Sequence, residues 1–360
     1  MATSCDTENC TIEYELDKHL FPALYSILVV ISIPTNIASL YVSCCQVKKK
    51  NELGIYLFSL SLADLLYTLT LPLWIYYAQN EDNWTLPSHL CTASVFLKYL
   101  NYYTSSGFLT CISIDRYLAV VHPMRFHCVR TRRVAFFVTV MVWVFEIVSN
   151  SKVLYEQDTF EEPFKGSNHT NHTFCYDTYP LKEWQANFNY YRVCMGFAVP
   201  LTIMLFCYQK IYQAVKNNQA TEDRDKKKIK NLLLTIVVTF FLCFTPYHIV
   251  LLLRSIYEPC DCSFAERMYE PYRITTALTS VNCILDPLLY CFVSEAGRTD
   301  VQDMFRGCFS VSPSDVKQSQ NIALSSSSQA RTGKVPESAT FLYNRELNLT
   351  NVGEEASFSL

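Results

Sequence analysis

Seven stretches of the chain are almost continuously apolar, at 21–45, 54–79, 93–121, 134–154, 188–214, 231–257 and 271–293, and each is bounded by short polar segments. A helix rises 1.5 Å per residue, so roughly 20 apolar residues cross a bilayer core of about 30 Å. Each run is long enough. The pattern predicts an all-α membrane protein, a seven-transmembrane helix bundle over 21–294, preceded by an outer N-terminal segment, 1–20. Residues 295–309 form an amphipathic pattern that predicts a short eighth helix along the inner membrane face, with Cys308 at its end as a palmitoylation candidate. The Ser-rich remainder, 310–360, lacks apolar periodicity and is expected to be disordered.

Composition narrows the class. Half of the 360 residues are hydrophobic, 14% are aromatic and only 18% are charged, too apolar a mixture for an ordinary soluble enzyme. A formal net charge of -3 argues against a nucleic-acid partner. Basic residues set the orientation: Lys48, Lys49 and Lys50 follow the first run, Arg125, Arg130, Arg132 and Arg133 separate the third from the fourth, and Lys226, Lys227, Lys228 and Lys230 precede the sixth. Basic loops stay in the cytoplasm, which places the N-terminus outside and the C-terminus inside a plasma-membrane protein. The sequons at Asn9, Asn83, Asn168 and Asn171 all fall on the outer side, where glycosylation occurs, and that at Asn348 falls inside. The first residues show no basic-then-apolar leader, so the first span is expected to act as its own insertion signal.

Sixteen cysteines are present, and Cys5, Cys10, Cys91, Cys175, Cys260 and Cys262 face the oxidising side, an even set. Cys91 and Cys175 are the expected pair, tying the second outer loop to the third helix. The other four could join the N-terminal segment to the third outer loop, with connectivity left open. Metal binding by Cys260-Asp261-Cys262 is the weaker reading outside the cell.

Motifs inside the runs carry the chemistry. The third ends Asp115-Arg116-Tyr117, an ion pair at a membrane boundary. Pro34, Pro72, Pro200, Pro246 and Pro287 each remove a backbone hydrogen bond from a different helix. Together with Leu62-Ala63-Asp64, Trp143, Tyr208, Phe244-Thr245-Pro246-Tyr247 and Asp286-Pro287-Leu288-Leu289-Tyr290, in this order, the chain resembles the rhodopsin-like G-protein-coupled receptors. The resemblance implies that Arg116 is released from Asp115 when the sixth helix swings about Pro246, that Tyr208 and Tyr290 settle against it, and that the opened groove admits a heterotrimeric G protein. Receptor kinases and arrestin would then read the Ser-rich tail. The terminal Phe358-Ser359-Leu360 is a weak match to a PDZ ligand. The family usually has tryptophan where Phe244 stands and asparagine where Asp286 stands.

Ligand class follows by exclusion. No lysine lies in 271–293, so a retinal Schiff base is excluded, and Lys98 stands where amine receptors resemble one another in an aspartate. Lys98, Arg192, Arg254 and Arg273 are possible anchors for an anionic headgroup. Acids at membrane depth are the sharper signal: Asp64 and Asp286, placed by the resemblance on facing sides of the core, and Glu146, which has no ionisable neighbour in its stretch. Carboxyl groups removed from water hold their protons more tightly, and two that share a site cannot easily both ionise. A sodium ion near Asp64 and Asp286 is the alternative; no other cofactor is expected. His248 and His19 are the histidines best placed for acid titration.

These features, with Asp82-Asn83-Trp84-Thr85, Cys175-Tyr176-Asp177 and Tyr272-Arg273-Ile274-Thr275, narrow the resemblance to the proton-sensing subgroup, which implies protons as ligand, the stimulatory G protein and cyclic AMP. Histidines expected in the N-terminal segment are replaced by Tyr14 and Lys18. A pKa one unit higher in the active state supplies about 1.4 kcal/mol, whereas shifting a population from 1:99 to 99:1 needs about 5.5 kcal/mol. Several groups must therefore act together: His248 and His19 gaining carboxylate partners, and Glu146 and Asp286 gaining protons. The rivals are a lysolipid or glycosphingolipid receptor and, from another class, a proton-coupled transporter, which the lack of internal repeats disfavours.

Overall fold

A computed structural model describes residues 17–126, 128–155, 159–163, 171–176, 178–217 and 223–293, all within one compact unit, Met1–Val301. The predicted eighth helix, the tail, Cys308, Cys5, Cys10, Asn9 and Asn168 lie outside the described residues.

The chain opens with α1 (Asp17–Lys48), which runs unbroken past Pro22 and Pro34. The second apolar run divides into α2 (Leu53–Thr68) and α3 (Leu71–Gln79), with Pro72 in the first turn of α3. A proline is tolerated there because the first helical N–H groups have no intrahelical acceptor. Next come α4 (Ser88–Val121), α5 (Arg132–Asn150) and the short α6 (Lys152–Tyr155). Thr131 opens α5 by accepting a hydrogen bond from Val134 N at 3.4 Å.

The outer loop that follows is not helical, a departure from the all-α expectation. Strands β1 (Thr159–Pro163) and β2 (Asn171–Cys175) pair antiparallel, with Thr159 opposite Cys175 and Pro163 opposite Asn171. Then α7 (Glu183–Tyr191) leads through a π-helical stretch, Arg192–Ala198, into α8 (Val199–Asn217). Helix α9 (Asp223–Tyr257) contains Pro246 and extends eight residues further toward the N-terminus than its apolar run.

The last apolar run divides as well, into α10 (Cys262–Ser280) and α11 (Asn282–Val293). Helix α10 begins nine residues earlier than the apolar pattern predicts, because Asp261 accepts a hydrogen bond from Phe264 N at 3.0 Å and caps it. The third outer loop is correspondingly short, and Glu266 and Glu270 stand exposed on a helix rather than in a loop.

Among the described residues, five helical segments are long and apolar enough to cross a membrane: His19–Lys48, Leu53–Gln79, Arg132–Tyr155, Glu183–Lys216 and Leu233–Tyr257. Helix α4 and the α10–α11 pair fall outside that set. Both spend their polar positions on the interior: Lys98, Asn101, Thr104, Ser105 and Ser106 of α4, and Arg273, Thr276, Thr279, Ser280 and Asn282 of the pair, are all buried. A helix enclosed by other helices need not be apolar, because it meets protein rather than lipid. Helix α5 shows the opposite case, with Phe136, Phe137, Val140, Met141, Val144, Phe145, Ile147 and Val148 exposed.

Candidate functional site

The expected site residues fall into three layers along the bundle. At the inner end, the last turns of α4 hold Asp115 and Arg116 in an ion pair, Arg116 Nη2 to Asp115 Oδ2 at 2.7 Å. A second guanidinium shares that carboxylate: Arg130 Nε donates to Asp115 Oδ1 at 3.1 Å, and Arg130 Nη2 reaches Glu52 Oε1 at 2.5 Å. Asp115 therefore lies between two arginines, and Glu52 ties the assembly to the start of α2. The sequence counted Arg130 only as a basic loop residue and gave Glu52 no role; nothing local marks either. Tyr117 packs on Phe206 and places its hydroxyl 3.1 Å from His122 Nε2. Tyr208 stacks on Tyr212 with ring centroids 6.3 Å apart, Pro287 is buried, and the side chain of Tyr290 lies outside the description.

The middle layer is polar and enclosed. Asn101 Nδ2 donates to Asp64 Oδ1 at 2.8 Å, while Thr68 Oγ1 donates to the Asp64 carbonyl at 2.7 Å. Asn36 Nδ2 donates to the Cys283 carbonyl at 2.7 Å and so joins α1 to α11. Asp286, within electrostatic reach of Asp64, is 2% exposed. Asp64 Oδ2 and both carboxyl oxygens of Asp286 have no hydrogen-bond partner among the described residues, and neither does Asn282 Nδ2. Buried polar groups are normally paired, so this concentration of orphaned oxygens marks the centre of the site.

Just outward, Phe244 stacks on Phe240 with centroids 4.8 Å apart. His248 is boxed by rings, stacked on Phe197 at 4.6 Å and set edge-on to Tyr247 at 5.0 Å, with Nδ1 placed 2.8 Å from the Phe244 carbonyl and Nε2 without a hydrogen-bond partner among the described residues. In this packing it faces aromatic rings and a carbonyl; the carboxylate partner expected of it is one gained as the outer ends close. His19 is exposed at the start of α1.

The outer layer holds the four possible ligand anchors, and two of them are paired within the chain. Arg254 makes a two-pronged pair with Glu258, Nε to Oε2 at 2.5 Å and Nη2 to Oε1 at 2.7 Å, and its guanidinium lies 4.1 Å from the Tyr272 ring centroid. Glu258 also accepts from Leu181 N at 3.1 Å. Arg273 reaches Asp82 at 3.3 Å, and Tyr269 donates its hydroxyl to the same carboxylate at 2.9 Å. Both arginines are thus engaged by the chain's own acids. Lys98 lies over the Trp74 ring at 4.5 Å. Arg192 is the exception. It is 2% exposed, its guanidinium is 3.5 Å from the Tyr99 ring centroid and 4.3 Å from that of Phe188, and its Nε and Nη2 have no hydrogen-bond partner among the described residues.

Cys91 and Cys175 form the expected disulfide. Cys260 and Cys262 are disulfide-bonded too. Asn83 lies at the same end, its side-chain oxygen accepting from Thr173 N at 3.1 Å. Glu146 stands apart from the core acids: half-buried on α5, it touches Asn150 Nδ2 at 3.4 Å through Oε2 and faces a groove with Tyr103.

Residues 35–290 match the model of the family described as 7 transmembrane receptor (rhodopsin family). The chain is similar to G-protein coupled receptor 65 of Homo sapiens, 52% identical over 301 residues that cover 82% of this chain and 89% of that one. It is 40% identical to G-protein coupled receptor 68 of Homo sapiens over 83% of this chain and 80% of the relative. Lysophosphatidic acid receptor 6 of Gallus gallus is 32% identical over 80% of this chain and 94% of its own length.

Proposed function

The chain belongs to the rhodopsin family of 7-transmembrane receptors, and from that premise we propose that it senses extracellular protons and signals through the stimulatory G protein to raise cyclic AMP. Proteins of this family are multi-pass receptors of the plasma membrane, not enzymes. The observation that carries the reading is the pair Asp64 and Asp286, enclosed in the bundle with three of their four carboxyl oxygens unpartnered. Two such groups resist joint ionisation, so the occupancy of a shared proton depends on how the helices around them pack. Protonation relieves the repulsion and lets α11 approach α2. Tyr208, Pro246, Pro287 and Tyr290 then carry the rearrangement to the inner end, where Arg116 leaves Asp115 and a G protein enters. Arrestin and receptor kinases would act afterwards on the tail.

The same three oxygens suit a hard monovalent cation, which would hold the pair ionised and oppose proton binding. The test is cyclic AMP in cells expressing the chain, in lipid-free medium stepped from about pH 8 to about pH 6, the range in which an unperturbed histidine also titrates. A rise that Arg116→Ala abolishes supports the proton as agonist. A flat response overturns it.

A second reading has its own observation: Arg192, a buried cation in an aromatic cage with two unpartnered donors, suits the phosphate of a lysolipid. In that case lysolipid restores the signal in the flat case, and Arg192→Gln removes it.

A further inference from the structure

Helices α4 and α5, with the junction of the π-helical stretch and α8, enclose a groove of about 410 Å³ on the flank of the bundle, within the size range of ligand sites. Tyr103, Gly107, Met141, Glu146, Met195 and Gly196 line it. The surrounding face of α5 is exposed and apolar, and it lies in Arg132–Tyr155, one of the segments of spanning length and apolarity. What meets this groove is therefore hydrocarbon, not water. Gly196 is required here: a Cβ would stand 2.2 Å from the Tyr103 ring.

Four polar side chains interrupt the apolar lining; Ser106 and Thr110 donate their hydroxyls to the Gly196 and Ser106 carbonyls, each at 2.8 Å, which leaves Tyr103 and Glu146. Glu146 Oε1 has no hydrogen-bond partner among the described residues, and Oε2 has only the long contact to Asn150. The Tyr103 hydroxyl is fully buried and also has no hydrogen-bond partner among the described residues, and the two groups lie within electrostatic reach of each other. In a membrane no water satisfies such atoms. One is an acceptor, the other a donor with nothing to accept its proton.

We propose that this groove binds an uncharged, membrane-dissolved amphiphile of sterol size bearing one hydroxyl. A hydroxyl both donates and accepts, so one group can donate to Glu146 and accept from Tyr103. A carbonyl would leave the ionised Glu146 carboxylate without a donor, an ammonium would leave the Tyr103 hydroxyl without an acceptor, and an acyl chain would satisfy neither. An anionic headgroup is excluded because the sole charged side chain in the groove is a carboxylate. The site is distinct from the Asp64–Asp286 pair and from Arg192, none of which lines it.

The test is photolabelling of the full chain in nanodiscs with a diazirine sterol carrying a free 3-hydroxyl, with labelled peptides mapped by mass spectrometry. Labels should fall on the α5 face around Met141 to Glu146 and around Met195, and excess unlabelled sterol should remove them. The 3-methyl ether of the same probe should label about fivefold less, as should Glu146→Leu, while Glu146→Gln, which keeps an acceptor, should label as wild type. Met195→Trp, at an exposed position where the fold is spared, should fill the groove and abolish labelling. Equal labelling by the ether, indifference to Met195→Trp, or no label in the groove would each overturn the proposal. Labelling reports occupancy whether or not protons are the agonist, so its failure and a flat pH response are separate results.

Discussion

The charges of the outer end and those of the core are treated in opposite ways. Outside, Arg254 and Glu258 satisfy each other through two short hydrogen bonds, and Asp82 is held by Arg273 and Tyr269. In the core, Asp64 keeps one oxygen and Asp286 both without a hydrogen-bond partner among the described residues. Burial alone does not make a switch. A buried ion pair has one good arrangement and resists change, whereas a pair of enclosed acids has no good arrangement until a proton or a cation arrives.

That contrast can be broken by experiment. The largest effect is expected from Glu258→Ala, which strands the buried Arg254 guanidinium; loss of one partner of a buried pair costs about 3–5 kcal/mol. It should appear as a marked fall in thermal stability and surface expression, with the pH midpoint of the surviving receptor unmoved. Asp286→Asn should act the other way round. It removes a carboxyl that has no partner, so stability holds or rises, and the midpoint moves toward neutral pH by about one unit, equivalent to about 1.4 kcal/mol. If Asp286→Asn left midpoint and slope unchanged while Glu258→Ala shifted them, the assignment of structural and switching roles would be reversed.

Smaller effects sharpen the picture at the inner end. Glu52, Arg130, Asp115 and Arg116 form a linked set, with Arg116 and Arg130 about a quarter exposed. Solvent screens such pairs, which contribute about 0.2–1 kcal/mol each. Glu52→Gln should free Arg130 to hold Asp115 more strongly and so loosen Arg116, raising basal cyclic AMP less than about fivefold.

The smallest effect is a negative one. Hydrogen bonds from Phe264 and Ser263 hold the Asp261 carboxyl below its ordinary value of 3.8. A depressed pKa contributes stability above the unfolded value that disappears as pH falls through the folded one, here below 3.8. Asp261→Asn should therefore leave the response between about pH 8 and 6 unchanged, although this side chain sits at the outer surface beside Cys260 and Cys262.

Much of this fold is legible in the chain itself. Apolar runs located the centres of the described helices but not their ends, since α9 and α10 begin eight and nine residues earlier, and proline at 72 coincided with a real break. The hairpin of the outer loop was missed because β1 and β2 are short and pair only with each other. Cap chemistry at Asp261 was present in the sequence but outvoted by the polar composition of the first turns of α10. Arg254 and Arg273 read as anchors because their partners cannot be seen locally.

Each segment decides alone which stretches are apolar enough to seek a membrane, which loops are basic, and where proline and the acids stand. Tertiary structure decided which charges are already answered. Asp82 and Arg273 are 191 residues apart, and Asn36 reaches Cys283 across 247. No local pattern encodes such meetings. They exist only once the helices have packed, and it is that packing which pairs Glu258, leaves Asp286 alone and sets Glu146 beside Tyr103 in a groove open to lipid.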